Sequence, residues 1–103
     1  MKSDAIKIAK KFVVSIKTNG VPITTAYLFG SYAKGNAKPY SDIDICIISP
    51  SLGKDMIDEM VKLRQISRKI DDRIEALPFG TDDIKNPYDP LAAEIRCFGQ
   101  PII

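Results

Sequence analysis

The segment Leu28–Ile48, LFGSYAKGNAKPYSDIDICII, carries the information that decides the fold. An apolar run ends at the pair Gly30-Ser31, a polar loop follows, and Asp42 and Asp44 then open a second apolar run. Side chains alternate between the two faces of a β-strand, so residues two apart share a face and lie about 6–7 Å apart. The pattern predicts two strands joined by a polar loop, with both carboxylates on one face of the second strand.

Two carboxylates at this separation predict a cation. They repel each other, and beside an apolar core they are costly unless a positive charge neutralises them. Mg²⁺ fits, because it takes oxygen ligands from one or two carboxylates and completes its shell with water and substrate phosphate. The chain has no histidine, which excludes histidine-bound zinc and histidine acid–base chemistry.

The Gly-Ser pair predicts a phosphate seat next to that cation. Gly30 has no Cβ and therefore lets backbone approach a phosphate closely. Ser31 offers a hydroxyl and caps a short helix, whose first N–H groups favour anions. The end of the first strand and the start of the second together predict a site for a nucleoside triphosphate with Mg²⁺.

Two better-known phosphate motifs do not fit the segment. Gly30 and Gly35 have the G-x-x-x-x-G spacing of a P-loop, but Asn36-Ala37 follows where Lys-Ser/Thr is required. A phosphatase-type Asp-x-Asp normally follows an apolar strand. Here the polar residues 38–41 precede the two aspartates, and the apolar run comes after them.

Hydrophobic periodicity and turn residues predict the remaining elements. The order of helices and strands predicts a small α/β or α+β domain, in which helices flank a short mixed sheet. The predicted elements are a helix from an N-cap at Ser3 to Thr18, a strand at Thr24–Phe29, a short helix at Ser31–Gly35, a strand at Asp42–Ser49, a helix at Lys54–Ile70, a strand at Asp72–Phe79, a helical turn at Thr81–Lys85 and a helix from Asp89-Pro90 to Gly99.

Composition limits the class of protein. The 103 residues suit one domain covering 1–103. A net charge of +2 does not argue for a nucleic-acid partner. No segment reaches the roughly 18 apolar residues of a membrane span, and the N-terminus lacks a signal-peptide pattern, so a cytoplasmic protein without a membrane partner is expected. Cys46 and Cys97 lie in apolar contexts and are predicted to be buried, reduced thiols.

The combination of LFGS, ten residues and then DID before an apolar strand resembles the nucleotidyltransferase superfamily related to DNA polymerase beta. The resemblance is strongest to its minimal nucleotidyltransferase (MNT) proteins, and it implies the polymerase beta-like fold. That family uses a third carboxylate on the next strand. Glu75, between Ile74 and Ala76, fits best, and Asp72 stays an alternative.

The resemblance also implies the activity, which is transfer of a nucleotidyl group to an acceptor hydroxyl, with AMP from ATP as the expected group. Two Mg²⁺ ions would brace the attacking and leaving oxygens. Arg73 could add positive charge near the phosphates. The implied metal ligands and catalytic residues are Asp42, Asp44 and Glu75, where Glu75 binds the catalytic metal or accepts the proton, and the implied nucleotide-binding residues are Gly30, Ser31, Lys34 and Ser41.

The resemblance further implies a protein partner. Minimal nucleotidyltransferases are commonly paired, as the antitoxin half of a toxin–antitoxin system, with a helical HEPN protein that they modify. One alternative is an NTP- and Mg²⁺-binding module that neutralises such a partner by contact alone. A further alternative is an antibiotic-modifying enzyme, but the chain is short for building an aminoglycoside pocket by itself. The terminal residues 101–103 suit either a homo-oligomer contact or core packing.

Overall fold

The computed structural model describes residues 2–103 and confirms the α/β class. Four helices and a short 3₁₀ turn accompany four strands. The elements are α1 (Lys2–Thr18), β1 (Thr25–Phe29), α2 (Ser31–Lys34), β2 (Ile43–Ile48), α3 (Met56–Ser67), β3 (Ile74–Phe79), the 3₁₀ turn (Asp83–Lys85), α4 (Pro90–Phe98) and β4 (Gln100–Pro101).

The strands form one mixed sheet in the order β3-β2-β1-β4. The β1–β2 pair is antiparallel and sets Phe29 opposite Asp44. The β2–β3 pair is parallel and sets Asp44 beside Glu75. A parallel pair needs a long crossover, and α3 supplies it. The two-residue strand β4, which the sequence pattern does not predict, pairs antiparallel with β1.

Each face of the sheet is covered by different helices, because apolar side chains alternate along the strands. Helices α1 and α3 pack on one face, and α4 packs on the other. The first core comprises Ala5, Ala9, Phe12, Val13, Ile16, Ala26, Leu28, Tyr32, Ile43, Ile45, Ile47, Leu52, Leu63, Ile74 and Ile102. The second comprises Phe29, Cys46, Ile48, Phe79, Ala92 and Ile95.

The termini of the long helices differ from the sequence expectations for local reasons. Helix α1 includes Ser3, so that residue is not its N-cap. Helix α3 begins at Met56 rather than Lys54, because Asp55 is the N-cap and its side chain accepts the Asp58 N–H. Its C-cap is Arg68, so it ends at Ser67, before the expected Ile70.

Several apolar residues of α3 and α4 are exposed. Met56 and Met60 of α3 are 44% and 37% exposed, and Phe98 of α4 is 59% exposed. Each of these helices uses a narrower buried face than its apolar residues suggest, with Leu63 on α3 and Ile95 on α4. Cys46 and Cys97 are both free thiols, as predicted, and Cys46 is buried. The prediction that Cys97 is buried is wrong, because Cys97 is exposed on α4. Within residues 2–103, no helix combines the length and the apolar character needed to cross a bilayer.

Candidate functional site

Gly30 brings the end of β1 against the second aspartate of the motif. It has a φ of 71° and a ψ of −148°, a conformation that favours glycine. A Cβ at this position would overlap the Oδ2 atom of Asp44. The β1–β2 register explains the proximity, because Phe29 directly precedes Gly30 and pairs with Asp44. The predicted phosphate seat and carboxylate therefore lie in direct contact.

Two carboxylates lie side by side at this end of the sheet, and the charge of a third acts on one of them. Asp44 and Glu75 are neighbours in the parallel register and point to the same face. Asp42 lies just before β2, in the adjoining loop. Burial, followed by the negative charges of Asp42, Glu75 and Glu94, raises the pKa of Asp44 from 3.8 to about 6.

The positions of Glu75 and Asp72 relative to β3 distinguish the two candidates for the third carboxylate. Glu75 lies on β3 beside Asp44, whereas Asp72 lies before the strand begins. Asp72 is not among the charges that raise the pKa of Asp44. The register thus brings Glu75, and not Asp72, next to Asp44.

The donor set suits a cation shared with a substrate. Among residues 2–103, no three His, Cys, Asp or Glu side chains are grouped so that they could hold a metal ion by themselves. Asp44 enters none of the ion pairs formed within the same residues. Asp42 and Asp44 would supply two carboxylates to Mg²⁺, and water and phosphate oxygens would complete the shell, which is the usual arrangement for this ion.

The loop before Asp42 is closed by its own hydrogen bonds. The Ser41 hydroxyl accepts the N–H of Lys38 at 2.8 Å, and the Ser41 N–H donates to the Lys38 carbonyl at 3.0 Å. The buried Tyr32 donates its hydroxyl to the same carbonyl at 3.4 Å. Ser41, predicted to bind nucleotide, therefore shapes the turn that leads into Asp42.

Arg73 connects this loop to the start of β3. Its Nη1 donates to the Pro39 carbonyl at 3.3 Å and to the Tyr32 hydroxyl at 3.5 Å. Its Nε and Nη2 donate to the two carboxylate oxygens of Asp71, at 3.1 and 2.9 Å. Hydrogen bonding from Arg73 lowers the pKa of Asp71. The sequence suggests Arg73 as a source of positive charge for phosphates. In the structure its guanidinium instead links two loops through these hydrogen bonds.

Lys34 is engaged by α4. Its Nζ lies 2.8 Å from Oε1 of Glu94 and 5.5 Å from the centre of the Phe98 ring. Glu94 is a residue of the site that the sequence pattern does not identify. Nothing local marks it, because a glutamate on a helix usually indicates a solvated face, and its partner Lys34 is 60 residues away.

Ser31 is the first residue of α2 and not its cap. Gly30 occupies the N-cap position, and no side chain caps the helix. Within residues 2–103, the Ser31 hydroxyl makes no hydrogen bond. It lies beside the Gly30–Asp44 contact and keeps its capacity to bond a phosphate oxygen.

A groove of about 510 Å³ runs along the free edge of β3. One end contains acidic side chains of the site, and α3 forms the opposite wall. The lining residues are Asp42, Met60, Val61, Arg64, Gln65, Ser67, Arg68, Asp72, Ile74, Glu75 and Ala76.

Sequence relatives agree with the geometry. A stretch of 47 residues, 46% of this chain and 32% of the relative, is 45% identical to a Methanocaldococcus jannaschii protein named as a protein adenylyltransferase. Another of 75 residues, 69% of this chain and 62% of the relative, is 33% identical to MntA of Haemophilus influenzae, also named as a protein adenylyltransferase. The matches span less than two thirds of the length of either relative.

Solved structures share the fold at low sequence identity. A nucleotidyltransferase, so named, from Sulfolobus solfataricus has a TM-score of 0.65 and 21% identity, over 82% of this chain and 74% of its own. A toxin–antitoxin structure with AMP-PNP has a TM-score of 0.62 and 20% identity, over 91% and 72%. The family model of the nucleotidyltransferase domain matches residues 6–92. The Gly30–Asp44 contact lies within that match, and the chain belongs to the nucleotidyltransferase domain family.

Proposed function

We propose that this chain transfers AMP from ATP to a hydroxyl group of a partner protein, as the antitoxin half of a toxin–antitoxin pair whose toxin is a helical HEPN-type protein. The proposal rests on one observation. Gly30 at the end of β1, Asp44 on β2 and Glu75 on β3 lie together at one end of the sheet. The names of the two sequence relatives support adenylate transfer to protein. The similar toxin–antitoxin structure supports a protein partner.

The residues of the site have separable tasks in this reaction. Gly30 and Ser31 hold the β- and γ-phosphates. Asp42 and Asp44 hold Mg²⁺, which when bound neutralises charge on the phosphate oxygens and the leaving group. Glu75 orients the acceptor hydroxyl and accepts its proton. Most of the rate enhancement then comes from alignment and charge neutralisation.

The chemical step is an in-line displacement at the α-phosphorus. The acceptor oxygen forms a bond to that phosphorus as its proton passes to the carboxylate of Glu75. The bond from the α-phosphorus to the oxygen bridging it to the β-phosphorus breaks, and pyrophosphate leaves with the bonding electrons. The product is a phosphodiester between the acceptor and AMP.

Calorimetry tests the nucleotide site. The wild-type protein should bind ATP with Mg²⁺ or Mn²⁺ and lose that binding when EDTA is added. The double variant Asp42→Asn, Asp44→Asn should not bind, while its circular dichroism stays unchanged. Asp82→Asn, an exposed aspartate that caps nothing through its side chain, is the control and should bind normally. Equal ATP affinity in the double variant would refute the assignment.

Transfer is tested separately with α-labelled ATP and the protein encoded by the adjacent gene. The expected result is a mass increase of one or more AMP groups on a tyrosine of that protein. If the wild type leaves the neighbour unlabelled but still inhibits it, the chain is a binding module that acts by contact.

A further inference from the structure

The edge groove does not include the phosphate seat, since neither Gly30 nor Ser31 lines it. Gly30 contacts Asp44, which is not among the groove residues, whereas Asp42 and Glu75 line the groove. A triphosphate seated at Gly30 would therefore leave the groove open. The groove reaches the two carboxylates from the side of α3.

Helix α3 has an exposed apolar patch in its first half, and part of this patch lines the groove. Met56, Ile57, Met60 and Val61 are 44%, 79%, 37% and 51% exposed. Met60 and Val61 line the groove, and Ile57 does not. A patch of this kind beside a catalytic centre fits contact with apolar side chains of another protein.

The cations of the groove have different tasks. Arg64 donates to the carbonyls of Asp72 and Ile74, each at 3.2 Å, and so supports the start of β3. Arg68 enters none of the ion pairs formed among residues 2–103. Arg68 is an exposed residue that lines the groove, so it can pair with a carboxylate of an incoming chain.

We propose that this groove binds the acceptor, as a segment of the partner protein that sets an apolar side chain on Met60 and Val61 and a carboxylate against Arg68, and thereby presents its hydroxyl at Asp42 and Glu75. The inference rests on the proposed function and names the acceptor surface for it. The acceptor oxygen bonds to the α-phosphorus, its proton passes to Glu75, and pyrophosphate leaves.

Charge argues against other occupants. A second nucleotide or a nucleic acid in the groove would bring phosphates against Asp42, Asp72 and Glu75, and the Mg²⁺ that offsets this charge for ATP would already be held at Asp42 and Asp44. A protein segment avoids this repulsion, because a neutral hydroxyl group reaches the carboxylates and only its flanking residue carries charge.

Binding and transfer can be measured with two defined probes. One is a fluorescent 12-residue peptide with a central tyrosine flanked by leucines and glutamates, and the other has lysines in place of the glutamates. Anisotropy in the presence of AMP-PNP and Mg²⁺ reports binding, and α-labelled ATP reports transfer. The wild type should bind the acidic peptide about tenfold more tightly than the basic one.

Substitutions in the groove should change this preference. Arg68→Glu should reverse it, and Val61→Ser should weaken binding of the acidic peptide about fivefold. Affinity for ATP should be unchanged in both. The matched controls are Lys69→Glu and Ile57→Ser, which change exposed residues outside the groove and should leave peptide binding unaltered.

The outcomes separate the two proposals. Equal affinity for both peptides, binding of neither peptide, or equal losses in the control variants would overturn the acceptor groove. Binding with the expected preference but without label transfer would support the groove and count against the proposed activity. Transfer without charge preference would support the activity and overturn the groove.

Discussion

Asp44 is the residue at which the requirements of the candidate site and of stability conflict. It is half-buried and lies beside three other carboxylates, which together with burial raise its pKa to about 6. Its folded pKa lies above its unfolded value, so the native state binds the proton more tightly. The resulting stabilisation is fully present below about pH 4 and is lost as the pH rises to about 6.

Asp44→Asn should therefore stabilise the protein at neutral pH. The difference between 3.8 and about 6 corresponds to roughly 3 kcal/mol for a fully buried group, and solvent screening reduces this to about 1 kcal/mol here. Urea unfolding at pH 4, 5, 6 and 7 should show the gain shrinking as the pH falls. A gain that is the same at every pH, or a loss at pH 7, would contradict the electrostatic account.

The sequence pattern identifies those residues of the candidate site that are marked by their neighbours along the chain. Gly30, Asp42, Asp44 and Glu75 each have a local signature, which is a strand end, a strand start or an apolar flank. Glu94 has none, because its effect on Asp44 depends on how α4 packs on the sheet. The same packing directs Lys34 to Glu94, which spacing along the chain does not reveal.

At the scale of elements, Arg73 holds α2, the loop before Asp42 and the start of β3 together. Its planar guanidinium donates hydrogen bonds to the Asp71 carboxylate, the Pro39 carbonyl and the Tyr32 hydroxyl at the same time. Lysine has one nitrogen and cannot reproduce this set. Arg73→Lys should lower the free energy of unfolding by about 1–2 kcal/mol. Amide hydrogen exchange should also accelerate in residues 36–41.

The control is Lys62→Ala, which removes an exposed ion pair to Asp58 on one face of α3. Such a pair contributes at most about 0.5 kcal/mol, so stability and loop exchange should barely change. If Arg73→Lys leaves exchange in the loop as slow as in the wild type, the proposed link does not hold the loop.

Helix α3 shows why element boundaries are harder to predict than elements. The buried carboxylate of Glu59 accepts three N–H groups of the preceding loop, from Gly53, Lys54 and Asp55. These hydrogen bonds hold the loop that precedes α3 and so fix where the helix begins. The sequence does not reveal them, because glutamate is common within helices. Hydrogen bonding to these N–H groups lowers the pKa of Glu59, against the effect of its burial.

At the scale of the whole molecule, the periodic apolar residues suffice for the α/β class and for three of the four strands. The edges of the sheet are harder to predict from the pattern of apolar residues. Strand β4 is two residues long and contains a proline, so it has no periodicity to detect. The free edge of β3 carries Pro78, which has no N–H to offer another strand, and Arg64 occupies the Ile74 carbonyl.

Residues 100–102 line the other edge of the sheet, and the burial of Ile102 there predicts a role in core packing and not in an oligomer contact. Ile102 is 7% exposed, belongs to the first core and donates its N–H to the Ala26 carbonyl at 2.9 Å. Ile102→Ala should therefore cost about 2–4 kcal/mol. Ile103→Ala is the matched control. Its side chain is 58% exposed, and its removal should cost less than about 0.5 kcal/mol.

Denaturant unfolding combined with sedimentation at several protein concentrations distinguishes the two roles. A core residue changes the unfolding midpoint by the same amount at every concentration, because it acts within one chain. A residue at a subunit contact changes the association constant, and its effect on stability grows with concentration. We expect the first behaviour for Ile102→Ala. A loss of stability that depends on concentration would place Ile102 at an interface between copies instead.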